Sequence, residues 1–261
     1  MPTALVTGAS SGIGLELATL LASDRNDLVL VARNRARLEG VARGLVEEFG
    51  VRATVLAADL ARPEAPGDIT GALEAQAITV DVLVNNAGIG FLGPFAEASL
   101  DRTLAMTQVN VTALTHLTRL VLPGMLARRS GRVLNVASTA AFQAGPLMAV
   151  YYATKAYVLS FSEALGNETA GTGVTVTALC PGPTLTEFQR SAGMEATLLF
   201  RGPLVMAAPA VARAGYAGML RGDRVVIPGI ANRVMVQGLR VTPRRLAAAI
   251  ARRIQETRRK K

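Results

Sequence analysis

Histidine and cysteine are almost missing from this chain of 261 residues, with His116 and Cys180 the single representative of each. One cysteine excludes an intrachain disulfide framework, and no Cys/His cluster exists to hold a metal. A Ser-His-Asp hydrolase or a zinc hydrolase therefore has very little to work with. Tryptophan is absent, and Phe, Trp and Tyr together make 4% of the residues, so any core is aliphatic. No uninterrupted run of about 18 apolar residues, the length of a membrane-crossing helix, is found. The chain enters the strand-like Thr3-Ala-Leu-Val-Thr7 at once, which leaves no room for a signal peptide. A soluble cytoplasmic protein is expected.

What is present is a chain half hydrophobic and 18% charged, enough to bury a large core in one or at most two domains. Its net charge of +9 is unevenly spread. Residues 221–261 carry twelve Lys/Arg against two acids, while the remaining 220 residues carry sixteen bases and seventeen acids. A neutral body with a basic appendage offers no basic face for a nucleic acid.

Short apolar runs alternate with longer helical stretches. Strands are predicted at Ala4–Val6, Leu28–Ala32, Thr54–Ala57, Val82–Val84, Arg132–Ala137, Val174–Leu179 and Val225–Ile227. Runs such as Leu28-Val-Leu-Val31 suit strands covered on both faces, as in a parallel sheet. Helices are predicted near 12–23, 36–49, 68–77, 99–128, 151–169 and 208–220. The pattern implies an α/β fold with a doubly wound parallel sheet of about seven strands in a single domain. Residues 1–230 would form that domain and 231–261 a basic helical extension.

The first strand runs into Thr7-Gly-Ala-Ser-Ser-Gly-Ile-Gly14, which opens a helix. In such a turn Gly8 allows the tight bend, Gly12 lets the backbone approach a pyrophosphate, and Gly14 lets helix and sheet pack closely. The helix N-terminus supplies amide donors to the phosphates. Further motifs follow in order: Asn85-Asn-Ala-Gly88 after the fourth strand, Asn110 in a helix, Ser138 after the fifth strand, Tyr151-x-x-x-Lys155, and Pro181-Gly182 after the sixth. Together they closely resemble the short-chain dehydrogenase/reductase family over residues 3 to about 190, with the single-domain branch of about 250 residues favoured over the extended one.

The resemblance implies a Rossmann-like domain, a nicotinamide cofactor, interconversion of a carbonyl with an alcohol, and a homodimer or homotetramer. Hydride transfer to a carbonyl builds charge on its oxygen, which an acid must neutralise. A free tyrosine has a pKa of about 10, and a lysine four residues on, on the same helical face, favours the phenolate. Tyr151 is thus the expected acid/base, tuned by Lys155, and Ser138 would polarise the same oxygen. Tyr152 lies about 100° further round the helix, so the three-residue gap selects Tyr151. By resemblance, Lys155 also holds the nicotinamide ribose and Asn110 anchors a water relay. Ser10, Ser11 and Ile13 line the phosphate turn, Asp59 and Leu60 flank the adenine, Asn86, Ala87 and Gly88 line the cofactor, and Thr184 and Thr186 lie near the nicotinamide amide.

Cofactor choice rests on the second strand, which ends Val31-Ala32-Arg33-Asn34 without the acid that would hold a ribose 2′-hydroxyl. Arg33 can instead bind a 2′-phosphate, with Asn34 and Arg37 as helpers, so NADP is expected over NAD. His116 reads as a packed or surface side chain. Cys180 reads as a small core residue close enough to the nicotinamide for alkylation to inhibit.

The segment 186–208 carries Phe188, Met194, Leu198, Leu199, Phe200, Leu204, Val205 and Met206 with Arg190 and Arg201, an apolar lid that suggests an apolar carbonyl substrate. Ala140 to Met148 would form another wall. In the tail, Thr242 as N-cap and Pro243 at the first turn start a helix in which Leu246, Ile250 and Ile254 recur at four-residue spacing. Docking of that helix on the body or on another subunit is favoured over contact with an anionic membrane. The rival function is a dinucleotide-binding regulator without turnover.

Overall fold

In the computed structural model, described over residues 1–194, 197–200 and 204–256, the apolar runs assemble into one parallel sheet. Its strands are β1 (Thr3–Thr7), β2 (Asp27–Ala32), β3 (Ala53–Ala57), β4 (Val82–Asn85), β5 (Gly131–Val136), β6 (Val174–Leu179) and, further along, β9 (Val225–Val226). They lie in the order β3-β2-β1-β4-β5-β6-β9, all parallel. Leu5 of β1 sits beside Val29 of β2 and Leu83 of β4, and all three are fully buried. Burial on both faces is why these strands read as continuous hydrophobic runs. At the edge, β3 is half-exposed.

Helices α1 (Gly12–Ser23), α2 (Arg35–Phe49) and, later, α8 (Ala208–Arg221) cover one face through Leu17, Leu21, Leu38, Leu45, Val211 and Met219. On the other face lie α3 (Ala65–Ala75), α4 (Leu100–Thr107), α5 (Leu114–Arg128) and α6 (Ala149–Glu168), with Ile69, Leu73, Leu117 and Met125 in the core. This is the Rossmann-like α/β fold expected from the sequence. The strand order reverses between β1 and β4, and a crevice opens there beyond the carboxyl ends of the strands.

Four local features depart from expectation. The helix predicted over 99–128 is broken by a π-helical stretch, Gln108–Ala113, that holds Asn110 in the interior. Two short strands, β7 (Thr184–Leu185) and β8 (Met206–Ala207), pair in parallel and tie together the two ends of the lid segment, whose first turn is α7 (Phe188–Ser191). The expected helical extension is two helices, α9 (Ile230–Val241) and α10 (Arg244–Gln255). Thr242 is not the N-cap of α10, because Pro243 takes that place and the Thr242 hydroxyl donates back to the Gly238 carbonyl at 2.8 Å. Among the described residues no helix is long and apolar enough to cross a membrane.

Candidate active site

Ser138 leaves β5 in an extended conformation, and its Oγ accepts from the Ala140 amide at 3.1 Å. Its hydroxyl donates to the Pro181 carbonyl at 3.4 Å, and the first turn of α6 brings Tyr151 to line the same cleft. One turn further along, the Lys155 ammonium lies 5.8 Å from the centroid of the Tyr151 ring. Lys155 is buried, and its Nζ donates to the Val136 carbonyl at 2.7 Å. The i, i+4 spacing in the sequence therefore becomes a serine, tyrosine and lysine cluster lining the crevice.

The electrostatics of this cluster are set by burial first. Desolvation pulls Lys155 down to about 8, the direction expected for a cation removed from water. It also pushes Tyr151 above its ordinary value, opposed by the polarity of the nearby Ser138 hydroxyl. Depression of the Tyr151 pKa by Lys155 is not expressed in this geometry. The ammonium faces the ring and gives its hydrogen bond to Val136 rather than to the phenol.

Asn110 reaches the cluster from the π-helical stretch. Its Oδ1 accepts from the Ile89 amide at 2.9 Å, while Nδ2 donates to the Ile89 carbonyl at 2.9 Å and to Thr154 Oγ1 at 3.1 Å. The side chain thus clamps the chain after β4 to α6. A Cβ placed on Gly88 would lie 3.5 Å from both Asn110 Oδ1 and Lys155 Nζ, so these two groups meet at that glycine.

The glycine turn is built for close approach. Gly8 and Gly12 have φ of +67° and +57°, a region where L side chains are strained. Asn86 holds the turn from below, its Nδ2 donating to the Thr7 carbonyl at 2.9 Å and to that of Gly8 at 3.2 Å. Thr7 Oγ1 in return accepts the amides of Asn86 and Ala87, both at 3.0 Å. A Cβ on Gly14 would collide with Asn86 Nδ2 and the Gly8 carbonyl, so glycine there is a packing requirement. No side chain caps α1, which leaves its first-turn amides open to an anion.

One cleft of about 1000 Å³ joins this turn to the Ser138–Tyr151–Lys155 cluster. Every residue expected around the cofactor lines it except Gly14, which packs behind the turn. Arg33 lines it from an exposed position at the end of β2. Asn34 Oδ1 caps α2, accepting the Arg37 amide at 3.0 Å. The Arg37 guanidinium pairs in bidentate fashion with Glu187, at 2.7 and 2.8 Å, rather than standing free beside Arg33. The uncapped helix end, the positive-φ glycines and a cleft with room for a dinucleotide fit a nicotinamide cofactor.

Residues 2–196 match the family model described as short chain dehydrogenase. The chain belongs to the short-chain dehydrogenase family. It resembles a short-chain dehydrogenase of Sphingobium yanoikuyae solved with NADPH, at 35% identity and TM-score 0.83 over 92% of this chain and 94% of that one. A bulky-bulky ketone specific alcohol dehydrogenase of Comamonas testosteroni is similar at 31% identity and TM-score 0.77, with 92% of each chain covered. A very-long-chain 3-oxoacyl-CoA reductase of Anas platyrhynchos shares 38% identity over 184 residues, 68% of this chain and 58% of that protein. The first curated relatives it matches are covered over only 58–62% of their length.

The end of the cleft beside the segment 186–208 is lined largely by apolar side chains, in keeping with the composition of that segment. Phe188, Met194, Leu199, Phe200 and Leu204 line it from the lid, with Ala140, Gln143 and Met148 opposite. The Phe188 ring packs against Tyr151 with centroids 5.3 Å apart. Arg201, the side chain of Leu198 and residues 258–261 lie outside the described residues. Phe91 and Arg102, whose guanidinium lies 4.7 Å from the Phe91 centroid, also line the cleft, and no sequence signal singles them out.

The tail reaches the same cleft through Met235, Ala251, Ile254 and Gln255. The buried stripe of α10 is Ala247, Ala251 and Gln255, one position round from the Leu246, Ile250 and Ile254 stripe, which is exposed. Small alanines let the helix settle close to the body, and the larger residues face out. His116 is exposed on α5. Cys180 is buried, its thiol is pushed up to about 12, and it does not line the cleft, so alkylation near the nicotinamide is not supported.

Proposed function

We propose that this protein is an NADP-dependent oxidoreductase that interconverts an apolar ketone or aldehyde with its alcohol. The observation that carries the reading is the Ser138–Tyr151–Lys155 cluster at the floor of an apolar pocket continuous with the glycine turn. When bound, the nicotinamide supplies or accepts a hydride. The chain's own residues manage the oxygen and its proton. Ser138 and Tyr151 present two hydroxyls to the carbonyl oxygen, and Tyr151 delivers the proton as charge develops there. A phenol held mostly protonated by burial suits the acid role in reduction. Lys155, close to its own titration point and lining the same cleft, would hold the nicotinamide ribose and help orient Tyr151.

Arg33, at the end of a strand without an acid, supports NADP over NAD through charge-assisted bonds to the 2′-phosphate. The apolar lid supports a hydrophobic substrate. The reading includes a homo-oligomer, which the family resemblance implies, and a cytoplasmic site of action, where the lone Cys180 stays reduced. The test is oxidation of NADPH and NADH by purified protein across aldehydes, ketones and 3-oxoacyl thioesters. Turnover faster with NADPH supports the reading, and faster turnover with NADH defeats the role of Arg33.

A second reading concerns residues 231–261. Beside the docked face of α10, Leu246, Ile250 and Val234 are exposed near Arg233, Arg245 and Arg253, which leaves peripheral contact with an anionic bilayer as the less favoured alternative to docking alone. Co-sedimentation with phosphatidylglycerol vesicles, lost in high salt and absent with phosphatidylcholine, would carry it; no binding to either would end it.

A further inference from the structure

The last residue of α10 places a polar group in an otherwise apolar wall. Gln255 is 1% exposed, and its Nε2 donates to the hydroxyl of Tyr152. Its Oε1 is buried without a hydrogen-bond partner among the described residues. Both Gln255 and Tyr152 line the cleft, in company with Met148, Met194 and Ala251. The Tyr152 ring stands edge-on to that of Tyr151, with centroids 6.2 Å apart. An amide that pairs at one end and is orphaned at the other therefore sits in the wall of the cleft, one ring away from the proposed acid.

That arrangement is a poor way merely to fasten a helix. A buried acceptor left without a donor costs about 1–3 kcal/mol, and buried polar groups in folded proteins are overwhelmingly paired. Ala247 and Ala251 already dock α10 by close packing. The orphaned oxygen makes sense where a ligand brings the missing donor.

We propose that Gln255, held by Tyr152, is a substrate subsite that accepts a hydrogen bond from a hydroxyl of an apolar ketone or alcohol, remote from its reacting carbon. The inference rests on the oxidoreductase reading and narrows it to hydroxylated hydrophobic substrates. The pair fixes a distance between the reacting carbon and the distal donor, so recognition depends on where along the molecule that donor lies. A site built to satisfy a substrate hydroxyl rejects the analogue lacking it far better than a plain apolar pocket discriminates by size.

The test is calorimetric titration of the 261-residue chain, saturated with NADPH so that the alcohols cannot be oxidised, using alkan-2-ols of increasing length. Each length is offered in three forms: plain, with a terminal hydroxyl, and with a terminal methyl ether. At one chain length the hydroxyl should tighten binding about tenfold over the plain alcohol, whereas the ether, which offers no donor, should gain nothing. Gln255→Leu should abolish the hydroxyl preference. Tyr152→Phe, which unseats the amide from the other side, should reduce it and guards against a Gln255 variant that fails to fold. A hydroxyl that weakens binding at every length, an equal gain from the ether, a preference unchanged in both variants, or no binding by any alcohol overturns the proposal. NADPH oxidation with the matching ketones is followed in parallel. Binding with hydroxyl preference but no turnover defeats the oxidoreductase reading alone, and turnover without hydroxyl preference defeats the subsite alone.

Discussion

Arg37 on α2 and Glu187 at the start of the lid, 150 residues apart in sequence, form a bidentate ion pair across the mouth of the cofactor cleft. Arg37 holds the Glu187 carboxyl below the ordinary carboxylate range, the nearby Ser11 hydroxyl acting weakly in the same direction, so the pair is ionised at neutral pH. About half of each side chain is exposed, and exposed pairs exchange partners at little cost. The pair fastens the lid to the cofactor side, yet it places a carboxylate beside the turn that would meet phosphates.

Glu187→Gln should therefore tighten NADPH by removing that repulsion and freeing Arg37 for the 2′-phosphate. NADH should gain less. Fluorescence titration of both cofactors at low and high salt checks this. Weaker NADPH binding in the variant would show that the fastened lid matters more than the repulsion.

Arg33→Ala should weaken NADPH by about ten- to a hundredfold, the loss of a charge-assisted hydrogen bond of about 1.5–3 kcal/mol. NADH binding should change little. An equal loss with both cofactors would place Arg33 elsewhere than at the 2′-phosphate.

Lys155 links catalysis to stability. Its pKa falls from 10.5 to about 8 on burial, equivalent to about 3 kcal/mol against the charged form. With the folded value lowered, the unfolded chain binds more protons between these values. The penalty is therefore complete below about 8 and relieved as pH rises towards 10.5. Lys155→Met should be more stable than the parent at neutral pH by about 2 kcal/mol, after loss of the bond to Val136, while losing turnover. Urea unfolding of both proteins should show that advantage shrinking with rising pH.

Gly14→Ala should abolish cofactor binding and cost about 1–3 kcal/mol of stability, because the new methyl meets Asn86 and the Gly8 carbonyl. Thermal unfolding and NADPH titration report the two effects. An unaffected variant would mean that the turn can shift.

Much of this architecture is legible in the amino-acid sequence. The strands of the sheet are readable because each central one is buried on both faces, and the glycine turn and the Tyr151–Lys155 spacing each carry a local mechanical reason. Contacts between residues distant in sequence are not readable. Arg37 looks available to the cofactor because nothing local announces Glu187. The tail misleads for a different reason. Leu246, Ile250 and Ile254 form the more conspicuous stripe, yet α10 docks through its alanines and Gln255, where small size allows a close approach. The helical extension expected over 231–261 is split in two, and α9 buries Asn232 and Val236 while Ile230, Val234 and Val241 stay exposed, a choice of face that the pattern does not give. The expected effect of Lys155 on Tyr151 follows from spacing alone, which shows neither burial nor where the ammonium sends its hydrogen bond.

The central claim is that Tyr151 gives a proton to a carbonyl oxygen while the cofactor is held independently of it. The direct measurement is NADPH binding and single-turnover ketone reduction in Tyr151→Phe beside the parent. The account predicts near-normal NADPH affinity and a reduction rate lower by about 10²–10⁴. A variant that reduces the ketone at the parental rate would contradict it.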